Sequence, residues 1–198
     1  QPMNRNKMKK EVYLIRHAQS EANASLDLDY QTFYYDPHIT NLGKQQAARA
    51  KKILDKIDFD LIVCSPLTRA LQTFEYMFPR PIQNTVVLSF IREYLNDSSD
   101  VGRQPDVLKK EFANFDFSGL RKFWWNNDVP IDEKEINYES IQDLNARVKK
   151  FKKWIDGRDE EKIAVISHGT FISRITQYFP NNCEFQIWCP DQTEKIVN

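Results

Sequence analysis

In this 198-residue chain, short apolar runs stop at residues able to do chemistry: Arg16-His17 after Val12 to Ile15, and Ser167-His168 after Ile163 to Ile166. A guanidinium stays charged in proteins and offers five donors in a fixed fork, so Arg16 suits a phosphate or a carboxylate. A histidine can serve as nucleophile or base near neutral pH. One Arg-His pair alone reads as an ordinary polar strand end. The recurrence at His168 argues for more. A third run, Leu61 to Ser65, is followed by Pro66 and by Arg69 in the first turn of a helix. A cation there opposes the helix macrodipole, and an anion held between the helix end and the guanidinium removes the conflict. Glu93 is the first carboxylate after a fourth run, Thr85 to Leu88, and apolar residues surround it. Partial burial would raise its pKa toward the range of a general acid, while pairing with the adjacent Arg92 is the competing reading. Two imidazoles, two guanidiniums and a carboxyl fit phosphoryl transfer, which needs an in-line nucleophile and fixed positive charge around the transferring oxygens. No Gly-rich phosphate loop and no histidine–carboxylate cluster spaced for a metal is present, so side chains must supply the charge.

These residues need a scaffold that delivers them to one edge. The four apolar runs have the length and β-branched content of strands buried on both faces. Helical patterns separate them. Thr40 is an N-cap for a stripe of Leu42, Ala47, Ala50, Ile53, Leu54 and Ile57, and Leu67, Ala70, Leu71, Phe74 and Phe78 face inward from the next helix. Ser140-x-x-Asp143 opens a third helix with Ile141, Leu144, Val148, Phe151 and Ile155 on one side, closed by a left-handed Gly157. Phe171 to Phe179 is helical, and Cys183 to Ile187 is an edge strand. Asn23 to Ile39, punctuated by Asp36-Pro37, reads as a long loop in which His38 is a loop residue. This alternation predicts an α/β fold, a three-layer α/β/α sandwich with a mostly parallel central sheet and right-handed crossovers. In such sheets ligands bind at the carboxyl edge, where all these side chains fall.

The length fits one domain, 1–198, with 96–139 as a small helical cap insertion. Phe112, Phe115, Phe117, Phe123, Trp124 and Trp125 would form a satellite core of that cap. Arg103, Lys109 and Lys110 either meet an acidic substrate or are solvated cap charges. Lysine plus arginine and aspartate plus glutamate both number 28, so no polyanion-binding surface and no nucleic-acid partner is expected. Three cysteines, Cys64, Cys183 and Cys189, show no paired metal spacing and suit a reduced, cytoplasmic setting. No apolar stretch is long enough to cross a membrane, and the basic start at Arg5, Lys7, Lys9 and Lys10 lacks a secretory apolar core. Gln1-Pro2 ahead of Met3 reads as a remnant of processing or cloning.

Taken in order, Arg16-His17-Ala18, Ile39-Thr40-x-x-Gly43, Ser65-Pro66-Leu67-Thr68-Arg69-Ala70-Leu71-Gln72-Thr73, Glu93 and Ser167-His168-Gly169 resemble the motifs of the histidine phosphatase superfamily, the phosphoglycerate-mutase-like fold. The resemblance runs from Val12 to about Cys189, and its one departure is Ala18, where glycine is more usual. It implies attack by His17 on phosphorus, with Arg16, Asn23, Arg69 and His168 binding the phosphate and Glu93 protonating the leaving oxygen, then taking a proton from water. It implies no metal or organic cofactor, and as partner a phosphorylated small molecule or phosphopeptide. The stretch after Glu93, Tyr94 to Arg103, lacks the basic and aromatic pattern of family mutases, so a phosphomonoester hydrolase is expected. The alternatives are a cofactor-primed phosphoglycerate-type mutase and a non-catalytic phospholigand-binding scaffold of the same fold. The sequence leaves oligomeric state open.

Overall fold

A computed structural model describes residues 9–28, 33–78, 84–127 and 136–191. Gln1, Pro2, Arg5, Lys7 and Pro130 lie outside the described residues. Five strands, β1 (Glu11–Arg16), β2 (Leu61–Cys64), β3 (Thr85–Val87), β4 (Lys162–Ser167) and β5 (Phe185–Trp188), form one sheet in the order β3-β2-β4-β1-β5. The first four run parallel, and β5 joins β1 antiparallel at the edge.

The inner strands β1, β2 and β4 are apolar on both sides because both faces are covered. Val12, Leu14, Leu61, Val63, Ile163 and Val165 meet α5 (Ile141–Asp156) and α6 (Gly169–Thr176). Ile15, Ile62, Cys64, Ala164 and Ile166 face α2 (Asn41–Leu54) and α3 (Thr68–Met77). The result is the expected three-layer α/β/α arrangement. On the α3 side the aromatic residues after α4 (Pro105–Glu111) join the same core. Phe115 packs edge-on against Phe74 of α3 at 4.9 Å, so Phe112, Phe115, Phe117, Trp124 and Trp125 extend the sheet's own core and are not a satellite.

Several element boundaries differ from the sequence reading. The predicted loop after Asn23 begins inside a helix, α1 (Glu21–Asp27), which buries no residue and so carries no apolar period. A capping box holds it: the Ser20 side chain accepts from the Asn23 N–H while Asn23 accepts from the Ser20 N–H. Helix α2 ends at Leu54, and Leu42 and Ile53 of the predicted stripe are exposed, as is Ile141 at the start of α5. Gly157 is right-handed, with φ −79°, and α5 needs no left-handed exit there. Helix α6 instead ends at Thr176 and leaves through Gln177 at φ 60°, three residues short of the predicted end at Phe179.

Gly43, in the first turn of α2, lies under the chain next to His17. A Cβ there would meet the Gln19 carbonyl oxygen at 2.4 Å, a backbone atom that cannot rotate away. Alanine would gain about 1 kcal/mol of helix propensity, but the clash costs about 1–3 kcal/mol. Gly43→Ala should therefore lower the unfolding free energy in a urea titration, and equal or greater stability would refute the packing argument.

Candidate active site

Pairing in step brings the two histidines together. Arg16 of β1 stands opposite Ser167 of β4, and the ladder continues one residue further through His17 N–H to the Ser167 carbonyl at 3.0 Å. The imidazoles of His17 and His168 follow side by side, ring centroids 5.1 Å apart. Both are buried. His17 Nδ1 lies 2.6 Å from the Ala18 carbonyl, which only accepts, so Nδ1 carries the proton and Nε2 is left with its lone pair. Ala18, where glycine was more usual, needs no left-handed backbone: the described non-glycine residues with positive φ are Asp36, Gln177 and Cys183. Burial, then the charges of Arg69 and Arg16, hold His17 well below the ordinary histidine value. Burial comes first for His168 as well, followed by Arg69, His17 and Arg16. His168 is the N-cap of α6, its Nε2 lies 2.8 Å from Ser65 Oγ, and its Nδ1 is buried without a hydrogen-bond partner.

Arg16 and Arg69 both act electrostatically on both imidazoles, so the four side chains share one region. Arg16 Nη1 donates to the Pro180 carbonyl at 2.9 Å, and its guanidinium lies 5.0 Å from the Phe179 ring centroid. Its Nε is buried and unpartnered. Phe179 fits because Gly169 has no side chain: a Cβ there would meet the ring at 2.3 Å. Arg69, in the first turn of α3, donates to the Ser99 carbonyl at 2.7 Å and to Asp100 Oδ1 at 3.0 Å. No residue pattern marks Asp100, which sits in a polar Ser-Ser-Asp turn yet is almost fully buried. Burial pushes its carboxyl up to about 7, against the pull of Arg69 and with the push of Glu93.

Glu93 reaches the same region from the loop after β3. Its Oε1 accepts from the Tyr94 and Phe171 N–H groups at 2.8 and 3.2 Å, and Oε2 from Thr170 N–H at 3.1 Å. Two of those donors open α6, directly after His168. Arg92 turns the other way, donating to the Trp125 and Ser89 carbonyls and to Asn127, so the reading of a surface Glu93 paired with Arg92 fails. Asn23 is drawn in by its cap role. Its Oδ1 accepts from Ser20 N–H at 3.1 Å and from Asn182 Nδ2 at 3.4 Å, and Asn182 also donates to the His17 carbonyl at 3.0 Å. Asn182 and Ser65 belong with Asp100 among the residues that sequence reasoning passed over.

Of the other charged residues noted in the sequence, Lys110 is exposed, while Arg103, His38 and Lys109 bond to groups of this chain. Arg103, partly exposed, pairs with acids of its own chain, binding Asp36 at 2.9 Å, Glu111 at 2.7 Å and Thr68. His38 is 2.8 Å from Glu111, and Lys109 donates to the Ala113 and Phe115 carbonyls. Among the described residues no three His, Cys, Asp or Glu side chains come together as metal ligands, and no helix is long and apolar enough to cross a membrane.

A parallel-sheet α/β sandwich with paired imidazoles and guanidiniums at its carboxyl edge defines the class of site. The family profile named Histidine phosphatase superfamily (branch 1) matches residues 12–189, and the chain belongs to that superfamily. It is 28% identical over 213 aligned residues to a phosphoglycerate mutase-like protein of Arabidopsis thaliana, covering 88% of this chain and 76% of that protein. Among solved structures it resembles the alpha-ribazole phosphatase of Shigella flexneri, with TM-score 0.60 and 22% identity over 89% of both chains. The phosphoserine phosphatase of Entamoeba histolytica, in complex with 3-phosphoglyceric acid, gives 0.57 and 20%, covering 90% of this chain and 89% of that one.

The buried imidazoles make stability depend on acidity in a stated direction. In the folded chain both stay neutral well below 6.5, whereas in the unfolded chain they titrate near that value. Below pH 6.5 the unfolded chain binds more protons, so stability present above that pH is lost as pH falls. The slope is at most about 1.4 kcal/mol per histidine per pH unit. Urea unfolding at about pH 7.5 and about pH 5.5 should show a shallower decline for His168→Gln than for wild type. Parallel declines would mean that His168 charges freely in the fold.

Proposed function

We propose that this chain is a phosphomonoester hydrolase that works through a phosphohistidine on His17. The observation that carries the reading is the Ala18 carbonyl on His17 Nδ1, which leaves a buried, neutral Nε2 beside a second imidazole and two guanidiniums. In the first step Nε2 attacks phosphorus, the bond from phosphorus to the ester oxygen breaks, and Glu93 gives that oxygen a proton. Arg16, Arg69, His168 and the side-chain amide of Asn23 hold the transferring oxygens. The unpartnered Arg16 Nε and His168 Nδ1 are polar atoms that an oxyanion would satisfy. In the second step water attacks the phosphohistidine, Glu93 takes its proton, the phosphorus–nitrogen bond breaks and neutral His17 is restored. No step calls on a metal or an organic cofactor.

Hydrolysis is favoured over isomerisation by the charge that the segment after Glu93 adds. A mutase must hold a second phosphate, which asks for more cations. Here that segment brings Asp100 onto Arg69, and its nearest arginine, Arg103, is consumed by Asp36 and Glu111. The structural neighbours are named as an alpha-ribazole phosphatase and a phosphoserine phosphatase, and a small phosphorylated metabolite is the substrate class we assign. The free thiols of Cys64, Cys183 and Cys189 agree with a reducing, cytoplasmic setting.

Rapid quenching with ³²P-labelled aryl phosphate should leave acid-labile label on wild type and none on His17→Ala, with turnover at least about 1,000-fold lower in the variant. Label that persists in the variant would move the nucleophile elsewhere. Fast isomerisation of 3-phosphoglycerate in the presence of a bisphosphoglycerate primer, with negligible phosphate release, would make the chain a mutase.

A further inference from the structure

A buried arginine outside the proposed catalytic set grips the backbone that carries Glu93. After the 3-10 turn Ser89–Ile91 the chain runs without regular structure to Asp97, so its carbonyls have no ladder or helix to pair with. Buried carbonyls must find donors nonetheless. Arg147 of α5 supplies most of them. Its Nη1 donates to the Phe90 and Arg92 carbonyls, both at 2.9 Å, and its Nη2 to the Glu93 carbonyl at 3.3 Å. Ser167 Oγ donates to the carbonyl between, Ile91, at 2.6 Å. Four consecutive carbonyls, from Phe90 to Glu93, are thus held by side chains from α5 and β4.

The rest of the guanidinium is equally occupied. Nε and Nη2 donate to the two oxygens of Glu139, each at 2.7 Å, which uses all five donors of the fork. Glu139 also accepts from Asn127 at 3.0 Å, and its own N–H donates to the Leu95 carbonyl at 3.0 Å. Burial works against ionising Glu139, but the hydrogen bonds and charge of Arg147 outweigh it and hold the carboxyl below its usual value. Arg147 further lies 5.4 Å from the Phe171 ring centroid, and Phe171 is one of the residues whose N–H aims the Glu93 carboxylate. One guanidinium therefore touches the main chain of Glu93 and the residue that orients its side chain.

We infer that Arg147, with Glu139 as its counter-charge, is a positioning residue that sets Glu93 for proton transfer to and from the reacting oxygens. This rests on the role proposed for Glu93 above. Lysine cannot replace the fork, since three donors on one nitrogen cannot reach three carbonyls and two carboxylate oxygens. A displacement of Glu93 by about 1 Å would cost up to about 100-fold in the step it serves.

The test compares Arg147→Lys, Glu139→Gln, Glu93→Gln and the Arg147→Lys/Glu93→Gln pair, in the full chain. The substrates are p-nitrophenyl phosphate, whose leaving group needs little protonation, and a simple alkyl phosphate, whose leaving group needs it. Arg147→Lys should lower kcat on the alkyl ester by about 10- to 100-fold and on the aryl ester only a few-fold. The double variant should lose no more than Glu93→Gln alone. In ¹⁵N spectra the Thr170 and Phe171 amide signals, which report the Glu93 carboxylate directly, should shift in Arg147→Lys as they do in Glu93→Gln. Equal loss on both esters, multiplied losses in the double variant, or unmoved amide signals would reduce Arg147 to a structural part. Should Arg147→Lys not fold, Glu139→Gln, which keeps the carbonyl contacts and removes the counter-charge, is expected to show the same ester preference in smaller measure, and a uniform loss there would refute the inference. If wild type hydrolyses neither ester, the proposed hydrolysis fails, and the amide signals alone decide whether Arg147 sets Glu93.

Discussion

The parallel ladder between β1 and β4 is the constraint from which the site follows. Arg16 and Ser167 are partners in that ladder, so both strands stop at the same height and both histidines emerge together. Strand β2 pairs with β4 from the other side, with Cys64 opposite Ile166, which places Ser65 under His168. A slip of one residue in either pairing would turn the side chains to the opposite face and dissolve the arrangement. The apolar faces make such a slip costly, because each strand is buried on both sides with a distinct set of residues. Packing of the core therefore decides the geometry of the chemistry.

Around this edge the chain treats its arginines in two ways. Arg147 is fully satisfied and shares Glu139 with Arg92, so its charge is neutralised where it lies. Arg16 and Arg69 are fixed mainly by carbonyl oxygens, from Pro180 and Ser99, and among the described contacts only Asp100 bonds to either as an acid. Their positive charge is left to act on the imidazoles, which burial already keeps neutral. Two guanidiniums beside two neutral imidazoles, with Asp100 the one acid bonded to either among the described contacts, leave positive charge that an oxyanion would offset.

The segment from Asn96 to Glu139 is drawn into this logic at both ends. Ser99 and Asp100 near its start hold Arg69, and Glu139 at its finish holds Arg147. Between them, Trp124 closes over Gly102 and the phenylalanines pack on α3. The described part of this segment therefore braces the arginines at and behind the site.

Much of this was legible in the linear chain. Apolar runs of strand length, capped helices between them and a charged or imidazole residue at each strand end are local signals, and they sufficed for the sheet class, for Arg16, His17, Arg69 and His168 as neighbours, and for Glu93 beside them. Helix α1 was missed because it buries nothing and rests on a cap alone. Asp100 and Arg147 were missed for a different reason. One looks like a surface turn and the other sits in a helix dense with lysines, and only burial by distant segments separates them from their solvated neighbours. Residue type and spacing determine which groups can do chemistry and at which sheet edge they arrive. The partners that orient them, five donors on one guanidinium or a carboxyl on another, are contacts across the fold, and no periodicity along the chain encodes a contact between residues decades of positions apart.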